Sequence, residues 1–225
     1  MKVPRASIKT LVLLAIAIAC LKPALPAAAA DPSHMSRAQA LAALKNPDPQ
    51  ERRRGALGVG LMGRPDDAPA LVAALRDPDD TVRTIAEDAL WTVWGRSGDV
   101  RVDELFRRGV SEMNTERFRD SIATFTKVIE IKPDFAEGWN KRATAYYLAG
   151  DYRRSLADCD EVIKRNPQHF GALSGYGQIY LRLDRPDKAL EYFRRALAVN
   201  PNLDGVPALI ERLEEVDVQR RRRAI

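Results

Sequence analysis

Residues that could carry out catalysis are few in this sequence. It contains two histidines: His34 lies too near the N-terminus, and His169 lacks an obvious partner. No metal-ligand spacing, phosphate-binding loop or nucleophile motif is present. The cluster of Glu211, Glu214 and Glu215 is typical of a solvated helix face. The sequence therefore predicts a protein that is not an enzyme and needs no cofactor or metal.

The first thirty residues have the layout of a secretory signal. Lys2, Arg5 and Lys9 precede an apolar run over residues 11–21, and a string of alanines ends at Ala30. Eleven apolar residues are too few to cross a bilayer, which needs ~20. We expect cleavage after Ala30 and an exported, periplasmic protein. The alternative is lipidation of Cys20, which would anchor the protein to the membrane.

Removal of this segment changes the charge of the protein. The whole chain of 225 residues carries a formal charge of +5, which falls to +1 for residues 31–225 because residues 1–30 contain four cations and no acidic group. A nearly neutral protein gives no support for nucleic-acid binding. The basic tail, residues 220–225, begins with Arg220–Arg223. These arginines either contact an anionic lipid surface or stabilise the end of a helix.

Internal repetition is the strongest structural signal. Shifted by 34 residues, the C-terminal half matches itself twice, and apolar residues recur at helical spacing within each unit. The equivalent positions include Leu105/Trp139/Leu173, Gly109/Ala143/Gly177 and Pro133/Pro167/Pro201. One unit cannot bury its apolar face alone, so the pattern predicts stacked pairs of helices in a packed, all-α protein.

These residues resemble the tetratricopeptide repeat. The resemblance implies three units, 102–135, 136–169 and 170–203, followed by a capping helix at 206–219. The first unit departs from the pattern at Glu112, where the family prefers an aromatic residue, which indicates an end repeat whose outer face meets something different. Cys159 stands where the other units have Phe125 and Phe193, which predicts a buried thiol.

The resemblance also implies a concave groove lined by the first helix of each unit. Chaperone-tail-binding members clamp a terminal carboxylate there with lysines and asparagines, whereas Phe106 and Val110 take the first unit's share here, so no such clamp is expected. The alternative is that Phe106, Val110 and Met113 pack against the N-terminal part of the chain. The groove positions are Phe106, Val110, Met113 and Asn114, then Asn140, Thr144, Tyr147 and Leu148, then Ser174, Gln178, Leu181 and Arg182.

Residues 36–95 repeat with a different period, a shift of 31. Asn46-Pro47-Asp48 and Arg52 match Asp77-Pro78-Asp79 and Arg83. The second copy resembles the short HEAT repeat of bilin lyases, whose arginine usually joins the aspartate-rich turn. The first copy is degraded by three glycines, Gly55, Gly58 and Gly60. We expect Trp91 and Trp94 to dock this segment onto the first tetratricopeptide unit.

The predicted fold is all-α: a right-handed helical-repeat solenoid of two short HEAT-like units stacked on three tetratricopeptide units, with a C-terminal capping helix. The predicted function is a non-catalytic interaction scaffold of the bacterial cell envelope that binds a polypeptide segment in its groove. Two alternatives are an accessory lyase or maturation factor of HEAT type, and a structural envelope protein held at the membrane by Cys20 or the arginine tail.

Overall fold

The computed structural model describes residues 35–223, and their side chains as far as residue 215. The expectations for residues 1–30, Cys20 and His34, and those for the side chains of Arg220–Arg223, lie outside this range. Within it the chain forms eleven α-helices, a 3₁₀ turn at Pro65–Asp67 and no strand, which confirms the all-α class. The helices are α1 Arg37–Ala43, α2 Pro49–Met62, α3 Ala68–Ala74, α4 Asp80–Trp94, α5 Val100–Asn114, α6 Phe118–Ile131, α7 Ala136–Leu148, α8 Tyr152–Arg165, α9 Phe170–Arg182, α10 Pro186–Val199 and α11 Val206–Arg223. None of the described helices is both long and apolar enough to cross a membrane.

The N-terminal segment, helices α1–α4, is two helix pairs around one apolar core. The side chains of Ser36, Asp48 and Asp79 accept backbone N–H bonds at the starts of α1, α2 and α4, as helix N-caps do. A Cβ on Gly55 would lie 2.7 Å from the backbone nitrogen of Leu44, at the end of α1. A Cβ on Gly58 would lie 2.8 Å from the Cβ of Ala40. Both glycines therefore let α1 and α2 approach closely.

An ion pair joins the turns of the two N-terminal helix pairs. Arg52 donates to both carboxylate oxygens of Asp77, at 2.6 and 2.8 Å, and to the carbonyl oxygens of Asn46 and Pro47. Arg83 makes the equivalent bond to the carbonyl of Asp77 at 2.8 Å. The arginines of the 31-residue repeat thus occupy equivalent places in space.

Asp77→Asn is expected to lower the free energy of unfolding at neutral pH by ~1–2 kcal/mol, because a charge-assisted bond is replaced by a neutral one. Hydrogen bonds from Arg52 hold the pKa of Asp77 below its ordinary value. A folded-state pKa below the unfolded value, ~3.9, gives stability that is present above pH ~4 and is lost as pH falls through the folded pKa. The variant should therefore lose less stability than wild type on acidification.

The matched control is Asp80→Asn, since the side chain of Asp80 is 87% exposed. Urea unfolding between neutral pH and pH ~3 measures both variants, and equal acid slopes for Asp77→Asn and wild type would contradict the expectation.

Each of the three predicted C-terminal units contains a pair of helices: α5 with α6, α7 with α8, and α9 with α10. A Cβ on Gly109 would lie 2.8 Å from the ring of Phe125. One on Gly177 would lie 2.6 Å from the ring of Phe193. In the second unit Ala143 takes this place, and Ser155 donates to its carbonyl oxygen at 2.7 Å. The small residues therefore lie where the helices of a pair cross.

The turn between the helices of a pair needs one residue in the left-handed conformation. Gly150 supplies it in the second unit, with φ of 80°. Glu116 and Asp184, which are 34 residues to either side, adopt φ of 59° and 54° in the other two units. The backbone geometry thus repeats even where the residue type does not. The middle unit alone of the three has glycine here, the residue that adopts this conformation without strain.

The last helix packs on the third unit and is longer than predicted. Val206, Leu209, Ile210 and Leu213 belong to one apolar cluster with Phe193. The helix continues to Arg223, so the start of the predicted basic tail is helical. Arginine is a good helix former, and positive charge is favourable near a helix C-terminus.

The docking of the N-terminal segment differs from the prediction. Trp91 and Trp94 contact His169 and Phe170, at the junction of the second and third units, and not the first unit. The ring of Trp94 stacks on His169 with centroids 4.4 Å apart, and Trp94 is 6% exposed. We call this contact, together with Gly171, the tryptophan contact.

Two polar bonds extend the same docking. Asn202 donates to the carbonyl oxygen of Leu75 at 2.7 Å, and Arg76 donates to the carbonyl oxygen of Val199 at 3.2 Å. The N-terminal segment therefore docks on the junction of the second and third units and on the end of the third unit. In the first unit Glu112 is buried and accepts bonds from Arg108 and Thr124.

Candidate functional site

The second and third units together form the best-defined part of the predicted groove. Tyr147 on α7 and Arg182 on α9 meet, since Arg182 Nε donates to the Tyr147 hydroxyl oxygen at 3.0 Å. Thr144 Oγ1 donates to the carbonyl oxygen of Asn140 at 3.0 Å, one turn back on α7. These four predicted groove residues lie on the facing sides of two neighbouring helices.

A cavity of about 60 Å³ lies between α7 and α9, and we call it the Gly175 cavity. Asn140, Thr144 and Tyr147, three predicted groove residues, form part of its lining. The remaining lining residues are Ala143, Ser155, Cys159, Gly171, Gly175 and Ile179. A Cβ on Gly175 would touch only the sulfur of Cys159, at 3.9 Å, so the cavity is open at this glycine.

Two other predicted groove residues have buried oxygen atoms without a hydrogen-bond partner. These are Ser174 Oγ and Gln178 Oε1, both on α9. Gln178 is 6% exposed. An unpartnered buried acceptor costs roughly 1–3 kcal/mol of stability.

The remaining predicted groove residues do not join this site. Phe106 and Val110 are half-buried and pack with Val102 and the rings of Phe125 and Phe135, in the core of the first unit. Neither lines the Gly175 cavity or belongs to the apolar core of the N-terminal segment. Leu181 packs against the apolar side of α11. Met113 is half-buried, and Asn114 and Leu148 are exposed.

A buried polar cluster at the start of α7 was not anticipated. His169 Nε2 donates to Glu137 Oε2 at 2.8 Å, and its Nδ1 accepts from the backbone N–H of Ala172 at 3.1 Å. Lys141 Nζ lies 3.2 Å from the other Glu137 oxygen. Burial alone would raise the pKa of Glu137, but Lys141, His169 and Asn140 outweigh it and lower that pKa.

This cluster has a positioning role. His169 is fully buried under Trp94, and both of its ring nitrogens are engaged. The expectation that His169 lacks a partner is therefore wrong, because folding brings Glu137 to it from the preceding unit. Lys141 lies over the Trp91 ring, 5.6 Å from its centroid, so the cluster also supports the tryptophan contact.

The Gly175 cavity and the tryptophan contact have a signal in the sequence that the groove prediction did not use. At a shift of 34, Gly171 is equivalent to Glu137 and Gly175 to Lys141, so the third unit has glycine where the second has charged side chains. A Cβ on Gly171 would overlap the Trp91 ring, and Gly175 opens into the cavity. At successive turns of α9, the third unit thus lacks two large side chains that the second unit has on α7. This absence is the sequence feature that indicates the site.

Cys159 forms one wall of the cavity and is a buried thiol, as predicted. Burial raises its pKa, and the neighbouring carboxylates of Asp158 and Asp160 raise it further. A thiol in this state is a poor nucleophile. Among the side chains described by the structure, no three His, Cys, Asp or Glu residues are placed to hold a metal ion.

Comparison with known proteins agrees with this architecture. Residues 106–161 and 140–204 match the tetratricopeptide repeat family model. A TPR repeat-containing protein of Rhizobium etli is 32% identical over 126 residues, which cover 56% of this chain and 61% of the relative. Hsp70-Hsp90 organizing protein 1 of Glycine max is 25% identical over 50% of this chain and 20% of its own length. The chain thus spans less than two thirds of either relative.

Solved structures show the same fold. The Sgt2 TPR domain from Aspergillus fumigatus superposes with a TM-score of 0.52 at 19% identity, covering 55% of this chain and 83% of that domain. The first TPR of Spaghetti (RPAP3), solved with the HSP90 peptide SRMEEVD, gives a TM-score of 0.50 at 19% identity, covering 52% and 93%. Residues 106–204 thus match tetratricopeptide repeats, and their helix pairs stack as an α-solenoid, in agreement with the predicted fold.

Proposed function

We propose that this protein is a non-catalytic interaction scaffold that binds a polypeptide segment between α7 and α9. One observation carries the proposal: the Gly175 cavity opens among predicted groove residues. The Spaghetti TPR domain shares this fold and holds an HSP90 peptide. That likeness supports a peptide ligand as a class, while the residues of this groove decide its chemistry.

A ligand that does not depend on a free carboxylate fits this groove. Arg182 is engaged with Tyr147, and Lys141 is engaged with Glu137. Lys141 is therefore not free to clamp a terminal carboxylate, and Arg182 has given one of its five N–H groups to Tyr147. Asn140 and Thr144 donate to Glu137 and to a helix carbonyl, and their side-chain oxygens suit the backbone N–H groups of an extended peptide.

Asn140→Ala and Tyr147→Ala should each weaken partner capture by ~1–2 kcal/mol, because each removes a contact group from the groove. A pulldown with both variants beside wild type measures this, after circular dichroism shows that each is folded. Trp139→Ala is the control for loss of an aromatic side chain, because Trp139 is on α7 but does not line the cavity. Full capture by the double variant would place the binding surface elsewhere.

The lyase or maturation-factor alternative rests on the HEAT resemblance alone. The described part of the chain has one histidine, which is fully buried, and burial raises the pKa of its cysteine thiol. The equivalent contacts of Arg52 and Arg83 support the proposal that the N-terminal segment is a pair of HEAT-like units. Such units are a structural likeness and carry no chemistry by themselves.

We further propose that the scaffold acts outside the cytoplasm, in the cell envelope. The support is the order of basic, apolar and small residues over residues 1–30. Mass spectrometry of the protein purified from cells should show an N-terminus near Asp31. An N-terminus at a lipidated Cys20 would favour the anchored alternative, and an intact Met1 on cytosolic protein would contradict export.

A further inference from the structure

The size of the Gly175 cavity limits what can enter it. A water molecule's share of liquid volume is ~30 Å³, so a cavity of about 60 Å³ has room for roughly two or three carbon atoms. That is about the size of a valine side chain, which has three carbon atoms. A leucine or aromatic side chain would need the surrounding core to expand, which close-packed protein interiors resist.

The lining of the cavity selects against charge. None of its lining residues is Asp, Glu, Lys or Arg, and Ala143, Ile179 and the Cys159 sulfur provide apolar walls. A charged group placed here would lose its hydration inside a lining without charge, and the nearby guanidinium of Arg182 already donates to the Tyr147 hydroxyl oxygen. An apolar group would gain ~25 cal/mol for each Å² that it removes from water.

The polar groups around the cavity need hydrogen-bond donors. The hydroxyl protons of Thr144 and Ser155 are already given to helix carbonyls, so both oxygens can only accept. Gln178 neighbours Gly175 on the helix surface, since it is three residues further along, and its buried Oε1 has no partner. Backbone N–H groups are the donors that an extended peptide brings beside each side chain.

Resting on the proposed function, we propose that the Gly175 cavity is a socket for one small aliphatic side chain of an extended segment of another polypeptide. Valine fits best, because its two methyl groups match the available volume. A flanking backbone N–H group of the ligand bonds to the hydroxyl oxygen of Thr144, which is a half-buried residue of the cavity lining. The third unit therefore selects the size of one side chain of the ligand. The socket exists because position 175 is glycine where the second unit has Lys141.

Capped seven-residue peptides of sequence Ser-Thr-Ser-Xaa-Ser-Thr-Ser test the size limit directly, with Xaa as Ala, Val, Leu, Phe or Asp. The readout is the NMR shift of the Gly171 and Gly175 backbone amides as peptide is added to millimolar concentration. The valine peptide should give saturable shifts at both glycines, and the phenylalanine and aspartate peptides should not. No saturable shift with any peptide, or equal shifts with valine and phenylalanine, would overturn the socket.

Filling the socket separates binding from stability. Gly175→Ala and Gly175→Val place one and three carbon atoms in the cavity, and the nearest atom to the new Cβ is a sulfur at 3.9 Å. Binding of the valine peptide should fall stepwise, by roughly 10-fold or more for Gly175→Val. The melting temperature of Gly175→Ala should stay level or rise, because alanine replaces glycine inside a helix. Unchanged peptide affinity in Gly175→Val would contradict the proposal.

Enlarging the socket should change its preference. Cys159→Ala removes the sulfur from the wall, so the leucine peptide should gain affinity relative to the valine peptide. If Cys159→Ala does not fold, the peptide affinities of Gly175→Ala and Gly175→Val test the socket by themselves. Capture that survives Gly175→Val and fails in the Asn140→Ala, Tyr147→Ala double variant would refute the socket and leave the groove standing. Self-association that Gly175→Val abolishes would instead assign the socket to a second copy of this chain, and so overturn the assignment to another polypeptide.

Discussion

Trp94→Ala is expected to lower the free energy of unfolding by ~3–5 kcal/mol, the range for removal of a buried tryptophan. Trp94 is 6% exposed, stacks on His169 and packs against Phe170. It belongs to the core of the N-terminal segment and also to the tryptophan contact, so its loss weakens both. Its buried indole N–H has no partner, and removing that group offsets a small part of the loss. Guanidinium unfolding followed by circular dichroism measures the effect.

Trp139→Ala is the matched control, because Trp139 is half-exposed between the side chains of Arg142 and Arg165. The same deletion should cost clearly less there. The residue 102–225 fragment, which lacks the N-terminal segment, should likewise be less stable than the whole chain. Equal losses in the two tryptophan variants, or a fragment as stable as the whole, would mean that the docking contributes nothing to stability.

Gly177→Leu should destabilise the third unit by ~1–3 kcal/mol or more through overpacking. A Cβ alone would come within 2.6 Å of the Phe193 ring, which is fully buried and cannot move aside without shifting α10. The adjacent α11 packs on the same ring, so the strain should spread to the C-terminal end of the array. Thermal unfolding by circular dichroism should show a lower melting temperature.

The control for this prediction is Gly175→Ala, two residues earlier on the same helix. Both positions change from glycine inside a helix, but the new Cβ at position 175 enters open space. We expect opposite signs, with a loss for Gly177→Leu and no loss for Gly175→Ala. An unchanged melting temperature for Gly177→Leu would show that α9 and α10 do not pack in the way described.

The sequence allowed the all-α class and the helix pairs of the C-terminal half to be predicted. The 34-residue repeat of large, small and proline positions reflects local requirements. Small residues are needed where the helices cross, and a residue with left-handed backbone conformation is needed at each turn. The same repeat made Cys159 a core residue, since it replaces Phe125 and Phe193. Each of these inferences needs only contacts within a unit or between neighbouring units.

The groove could be predicted only in part. Repeat positions placed Asn140, Thr144 and Tyr147 on one face, and the structure puts them around a cavity. They also placed Phe106 and Val110 in the groove, and the structure packs these half-buried side chains against the core that contains Phe125 and Phe135. A position in a repeat sets the direction of a side chain, whereas its exposure depends on the side chains that it meets.

Only the tertiary structure decided where the N-terminal segment docks and which residues complete the site. Adjacency in the chain favoured the first unit, but Trp91 fits against a helix only where glycine leaves room, and that position is Gly171. Likewise Glu137 and His169 are 32 residues apart and meet only when two units stack. Periodicity determines local geometry because it repeats at every unit, while a single long-range contact depends on shape and polarity at one place in the folded chain.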